Sequence, residues 1–304
     1  MTTAHDLGTL IEVRTDSGLT IRGLLELPDN GDRDAPCVVV SPSYGLSMRH
    51  FGPLSLFLTR NGFRSLRFDY TNHVGASDGD VFGYRVNTTV TDLSTVLNAL
   101  GQWGIAPPVG VVSVSMGARS AFRALRGRTD IAAMVSLVGV VNLQDTLHCV
   151  TGEDVVGTSL SGRTPDDRDV LGYYISGRSV DDAVLYGLHS LESTKDDVAQ
   201  CSFPITHVYA EDDAWTRLDE AESVFGQGCG TDRATRDLFI LPEASHKLEH
   251  NPVAARTAFS LAVSVLTRQL VGGELTVEEV VTPSFNDVVE KHRQEKSLDG
   301  EAHP

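Results

Sequence analysis

The stretch Val109-Gly110-Val111-Val112-Ser113-Val114-Ser115-Met116-Gly117-Ala118-Arg119-Ser120-Ala121-Phe122 changes its period at Ser115. Ahead of the serine it is a near-continuous apolar run, the pattern of a strand buried on both faces. Beyond it, small and apolar residues recur at helical spacing. A strand that breaks into a helix at a serine lifts the hydroxyl out of the sheet on a sharp turn. Such a turn needs small neighbours, and Ser113 and Gly117 stand two residues before and two after. Ser-x-Ser-x-Gly alone is a weak signal, because both residue types are common. Its meaning depends on the elements around it.

Upstream, residues 8–15 and 19–27 read as two short antiparallel strands around Asp16-Ser17-Gly18. Cys37-Val-Val-Val-Ser is a buried strand, followed by a helix from about Phe51 to Arg60 that Asn61-Gly62 closes. Phe63 to Phe68 is the next strand, and residues 87–103 form an amphipathic helix with Val90, Leu93, Val96, Leu97 and Leu100 on one stripe. Downstream, an apolar strand runs from Ile131 to Val141. Residues 142–200 then break the rhythm with polar loops and short helical patterns. Strands return at 204–210 and 237–242, and a long helix runs from about Pro252 to Leu270.

Buried strands alternating with helices predict an α/β fold with a mostly parallel, doubly wound sheet. Residues 1–141 and 201–271 would form its core. The 142–200 insertion reads as a cap over the strand C-termini, where ligands bind in such sheets. The charged segment 272–304 is expected to be partly flexible, especially after Glu295.

Composition narrows the function classes. A chain of 304 residues, 41% hydrophobic and 22% charged, is ordinary for a soluble globular protein. A formal charge of -16 argues against nucleic-acid or anionic-membrane partners, which reward surplus lysine and arginine. No run of about 18 apolar residues is present to span a bilayer, and the start lacks a signal-peptide pattern. Cys37, Cys149, Cys201 and Cys229 are scattered without a C-x-x-C pair, so structural zinc is not expected and a reducing cytoplasm is the simplest setting.

A serine hydroxyl becomes a good nucleophile only when a base takes its proton, and that base needs an orienting carboxylate. In the α/β-hydrolase fold the chain order is serine, acid, histidine, with the acid after a late strand and the histidine after the last. His246 lies in the loop after the last predicted strand; nearby His250 is at the approach to the following helix. The acid lies in Glu211-Asp212-Asp213-Ala214-Trp215, and the bulky residue two positions on favours Asp213 over Asp212 and Glu211. The backbone N–H of Met116, at the helix start, and that of Tyr44, after strand 37–41, are the expected oxyanion donors. Asp69 and His73, after strand 63–68, either shape this site or serve as turn residues, the turn being the plainer reading. Asp145 and His148 read as solvated.

The chain resembles the myristoyl-ACP thioesterase family of luminous bacteria, the acyltransferase component of the bioluminescence fatty-acid reductase complex. The segments that carry the resemblance are Asn61-Gly-Phe, Arg67-Phe-Asp-Tyr-Thr-Asn-His-Val-Gly-Ala-Ser, Val138-Gly-Val-Val-Asn-Leu-Gln-Asp-Thr-Leu and Leu191-Glu-Ser-Thr-Lys-Asp-Asp-Val-Ala. The approach to Ser115, the Asp212-Asp213-Ala214-Trp215 region, Ser245-His246 and Gly272-Gly-Glu-Leu match as well. The resemblance spans almost the whole chain and places nucleophile, acid and base on Ser115, Asp213 and His246. It departs at Ser113, where the family has alanine, and at Gly117, where it has serine. The loop keeps Met48, His50 and Phe51 but differs before them.

The resemblance implies cleavage of a fatty-acyl thioester through a Ser115 acyl-enzyme, with no metal or organic cofactor. The acyl carrier would be acyl carrier protein or coenzyme A, and a downstream acyl-processing enzyme is a further partner it implies. Segments around Val155-Val156, Val170 to Ile175 and Val184 to Leu188 either line an acyl tunnel or serve only as cap core. Two other readings stand beside this one: a carboxylesterase-like hydrolase of small or lipid esters, and a hydrolase-fold protein that only binds.

Overall fold

The computed structural model describes residues 8–231 and 234–300. Its main sheet has eight strands in the order β1-β2-β4-β3-β5-β6-β9-β10. These are β1 (Thr9–Arg14), β2 (Thr20–Glu26), β3 (Cys37–Ser41), β4 (Arg64–Phe68), β5 (Val109–Val114), β6 (Ile131–Leu137), β9 (Ile205–Ala210) and β10 (Arg236–Leu241). The pairings β1–β2 and β2–β4 are antiparallel, and all others in the sheet are parallel.

Strand period divides the apolar side chains between two layers. In β3, Cys37 and Val39 face one core while Val38 and Val40 face the other. The first core packs against α2 (Val86–Ala99), α3 (Met116–Ala124) and α8 (Leu218–Phe225) through Leu93, Val96, Phe122 and Phe225. The second packs against α1 (Gly52–Arg60) and α9 (Pro252–Leu266) through Leu54, Leu58, Ala258 and Val263. Covered on both faces, the central strands carry the near-continuous apolar runs read from the sequence. The structure is thus the mostly parallel, doubly wound α/β architecture expected.

Some element boundaries differ from the sequence reading. The apolar run from Ile131 leaves the sheet at Leu137, because Val138 adopts φ 44° and turns the chain. Val140 N–H then donates to the Ser115 carbonyl oxygen at 3.0 Å, bracing the turn at the serine. The helix expected over 87–103 is regular only to Ala99; a 3-10 turn over Leu100–Trp103 ends it at Gly104, φ 67°.

Between β6 and β9 the chain leaves the sheet. It forms α4 (Leu143–Thr151), α5 (Val155–Leu160), the antiparallel hairpin β7 (Arg168–Val170) with β8 (Tyr173–Ile175), α6 (Arg178–Leu185) and α7 (Leu191–Ala199). Arg119 of α3, fully buried, fastens this segment: its guanidinium donates to the Leu188 carbonyl at 2.9 Å and pairs with Asp197 of α7 at 2.8 Å.

The last helix, α10 (Phe285–Gly300), packs on α1 and reaches the sheet through Lys291 and Glu295. Buried Arg67 of β4 pairs with Glu26 of β2 and Glu295 of α10, both at 2.7 Å, and Lys291 also pairs with Glu26. Charges this buried persist only when paired. Burial alone would raise the Glu26 carboxyl, but Arg67 and Lys291 hold it below its ordinary range.

Candidate active site

Ser115 heads α3 with φ 51° and ψ -122°, the left-handed strain of a serine presented on a strand-to-helix turn. The turn is tight because α3 starts directly against the loop that follows β3. A Cβ at position 117 would overlap the Pro42 carbonyl oxygen, which is why a glycine stands there. Ser113, fully buried, supplies the other small side chain.

Distant loops converge on this hydroxyl. Ser115 Oγ lies 2.7 Å from His246 Nε2, and His246 Nδ1 lies 2.7 Å from Asp213 Oδ2. Asp213 Oδ1 accepts the Trp215 and Thr216 backbone N–H groups at 2.8 and 3.0 Å, which fixes the carboxylate plane. Burial would raise the Asp213 carboxyl, but the hydrogen bond and charge of His246, with the Trp215 amide, hold it below its ordinary value. The Trp215 ring leans on the His246 imidazole, centroids 4.5 Å apart. A hydroxyl bonded to an imidazole that is itself held by an ionised carboxylate has the geometry for proton transfer on nucleophilic attack.

The competing acids point elsewhere. Glu211 accepts the Glu243 N–H at 3.0 Å, and Asp212 is exposed. His250 is exposed at the end of a 3-10 turn.

Met116 N–H sits in the first turn of α3, among the amides that lack an intrahelical acceptor. Tyr44 lines the same pocket as Ser115. The residues weighed mainly as turn formers hold this loop in place. His73 Nε2 accepts the Gly45 N–H at 2.9 Å, and Asp69 Oδ1 accepts the Met48 N–H at 2.5 Å. Burial pushes the His73 imidazole down to about 4, so at neutral pH it keeps the lone pair that this bond needs. Beneath the relay, His207 is likewise pushed down to about 3 by burial and bonds Ser136 Oγ through Nδ1 at 3.0 Å.

Ser115 and His246 open into a cavity of about 290 Å³. Its walls are largely apolar, with Val170, Leu171, Tyr173 and Ile175 of the hairpin facing Leu143 and Leu147 of α4. Of the segments weighed as tunnel lining, only 170–175 reaches it. Val155 and Val156 pack with Val180 into a core of their own, and Leu188 is wholly buried in another. The contribution of α4 went unread, although Leu143, Leu147 and Val150 recur at helical spacing. Among the described residues, no group of three or more His, Cys, Asp or Glu side chains is arranged to hold a metal ion, and no helix is long and apolar enough to cross a membrane.

Comparison with known proteins agrees with this architecture. The chain is 18% identical to Est1E from Butyrivibrio proteoclasticus, solved with ferulic acid bound, with a TM-score of 0.70 over 86% of this chain and 99% of that one. An alpha/beta hydrolase, GrgF from Penicillium sp. sh18, superposes with a TM-score of 0.59 at 15% identity, covering 86% of this chain and 99% of its own. At such identities the likeness speaks for the α/β-hydrolase fold alone. In sequence, the chain is 28% identical over 295 residues to the acyl transferase of Aliivibrio fischeri (strain MJ11), covering 95% of this chain and 93% of the relative. It is 28% identical to that of Vibrio harveyi, covering 87% and 85%. The family model described as acyl transferase matches residues 10–302. Matched over nearly its whole length, the chain belongs to the acyl transferase family, built on an α/β-hydrolase fold.

Proposed function

We propose that this protein is a serine acyl hydrolase or acyltransferase that cleaves a fatty-acyl thioester through a Ser115 acyl-enzyme. The observation that carries the reading is the Ser115–His246–Asp213 relay, whose serine and histidine line a largely apolar cavity. His246 takes the hydroxyl proton as Ser115 Oγ bonds to the thioester carbonyl carbon, and Asp213 holds the imidazole. The Met116 and Tyr44 N–H groups meet the oxyanion. The tetrahedral adduct collapses, the C–S bond breaks, and His246 returns its proton to the departing thiolate. Water, deprotonated by His246, then attacks the acyl-serine, and Ser115 leaves with that proton as the carboxylic acid forms.

The 290 Å³ cavity and its largely apolar walls favour an apolar acyl group. Residues 142–200 act as the cap that shapes this cavity. The carrier is acyl carrier protein or coenzyme A, and a downstream acyl-processing enzyme is a further partner. The same relay would serve an oxygen ester as well, so an oxygen-ester hydrolase is the second reading.

Intact-protein mass spectrometry after exposure to a panel of acyl thioesters tests the proposal. A mass gain equal to the acyl group, absent in Ser115→Ala, is expected. Undiminished turnover by Ser115→Ala would refute the serine mechanism, and a strong kcat/KM preference for matched oxygen esters would refute the thioester assignment.

A further inference from the structure

Gly45 is gripped from two sides. Its N–H donates to His73 Nε2 at 2.9 Å, an anchor on the sheet side. Its carbonyl oxygen accepts the Tyr173 hydroxyl at 3.0 Å, an anchor on the β7–β8 hairpin. A second bond joins the same partners, since the Tyr44 hydroxyl donates to the Val170 carbonyl at 3.3 Å. The approach is close enough that a Cβ at Gly45, whose φ is 75°, would lie 2.8 Å from Tyr173 Cε2. The loop that carries the Tyr44 amide therefore meets the hairpin directly, through the Tyr44 and Tyr173 side chains.

The hairpin is also a wall of the acyl cavity, through Val170, Leu171, Tyr173 and Ile175. Its two-residue turn places Leu171 and Gly172 at φ 54° and 91°. A leucine is a poor occupant of that conformation, and here its half-exposed side chain lines the cavity. The strands are only three residues long and pair only with each other; Val170 and Ile175 are buried with Tyr84 and Val86, and Tyr174 stacks on Phe82, so the hairpin is held from that side as well as by the Gly45 loop.

We propose that Tyr173 is a positioning residue that couples acyl-chain occupancy of the cavity to the oxyanion loop. A chain long enough to pack on the hairpin steadies the Tyr173 hydroxyl on the Gly45 carbonyl, and this steadies the neighbouring Tyr44 N–H where the oxyanion forms. Binding energy from methylenes remote from the carbonyl then appears in kcat as well as in KM. The inference rests on the Ser115 acyl-enzyme reading and adds a route for substrate selection to it.

Tyr173→Phe removes the hydroxyl and keeps the ring. The test measures kcat and KM separately for acetyl-, hexanoyl- and decanoyl-CoA, with Ser115→Ala on the same panel. Wild-type kcat is expected to rise with chain length. In Tyr173→Phe the decanoyl kcat should fall roughly fivefold, the worth of one neutral hydrogen bond, with its KM and the acetyl kcat within about twofold of wild type. Should Tyr173→Phe fail to fold, the chain-length dependence of the wild-type kcat still decides. A wild-type kcat independent of chain length, or an equal loss on all three substrates, would overturn the coupling. Activity retained by Ser115→Ala would instead refute the acyl-enzyme reading on which the coupling rests.

Discussion

Substituting Asp197→Asn should destabilise the protein far more than its single lost charge suggests. Asp197 Oδ2 accepts from Arg119 at 2.8 Å, and Oδ1 pairs with Arg123 at 2.7 Å and Arg126 at 3.1 Å. The Arg119 side chain is 0% exposed and that of Asp197 1%, whereas Arg123 and Arg126 reach solvent at 22% and 36%. Removing the carboxylate leaves a buried guanidinium facing two others with no counter-charge. Breaking a buried pair from one side costs about 3–5 kcal/mol. For 304 residues, an unfolding entropy of about 2.1 cal/mol/K per residue gives about 0.6 kcal/mol/K. The melting temperature should therefore fall by roughly 5–8 °C. Differential scanning calorimetry at neutral pH and moderate salt measures it. A drop below about 2 °C would show that water or rearranged side chains already screen Arg119, and the argument from burial would fail.

Two further outcomes follow from the same structure. In Asp213→Asn, the amide oxygen stays on the Trp215 and Thr216 N–H groups, so the NH₂ faces His246 Nδ1 and forces the proton onto Nε2. The imidazole then cannot accept from Ser115, and kcat should fall on the order of 10⁴-fold with the fold intact by circular dichroism; a loss under about tenfold would refute the assignment of Asp213. Asp92, pushed up to about 6 by burial against the Thr71 bonds that would lower it, holds its proton more tightly when folded than when unfolded. Its contribution is thus fully present below its unfolded value near 4 and is lost as pH rises to about 6, a change on the order of 3 kcal/mol. Urea titrations across that interval should show the decline in wild type and a flatter curve in Asp92→Asn. Parallel curves would refute the raised value.

What could be read from the sequence was whatever local period and chain order record. The break in period at Ser115 marks a turn because strand and helix patterns cannot share a face. Asp213 and His246 could be ranked because each follows a predicted strand and few other candidates do. The ion cluster around Arg67 left no such trace: its partner Glu295 lies 228 residues away, and β4 reads as an ordinary buried strand. Nor could the sequence decide between turn and site for His73, since its acceptor role appears only once Gly45 is brought against it. The hairpin escaped detection because three-residue strands are shorter than any period can reveal.

The Ser115–His246 contact spans 131 residues. A ribosome adding about 5–20 residues per second needs on the order of ten seconds to travel that distance. Until His246 has emerged and β10 has docked, Ser115 is an ordinary alcohol on an incomplete sheet. On the proposed mechanism, the reactivity of Ser115 therefore arrives only with the closing strand, as a certificate that the sheet has been completed.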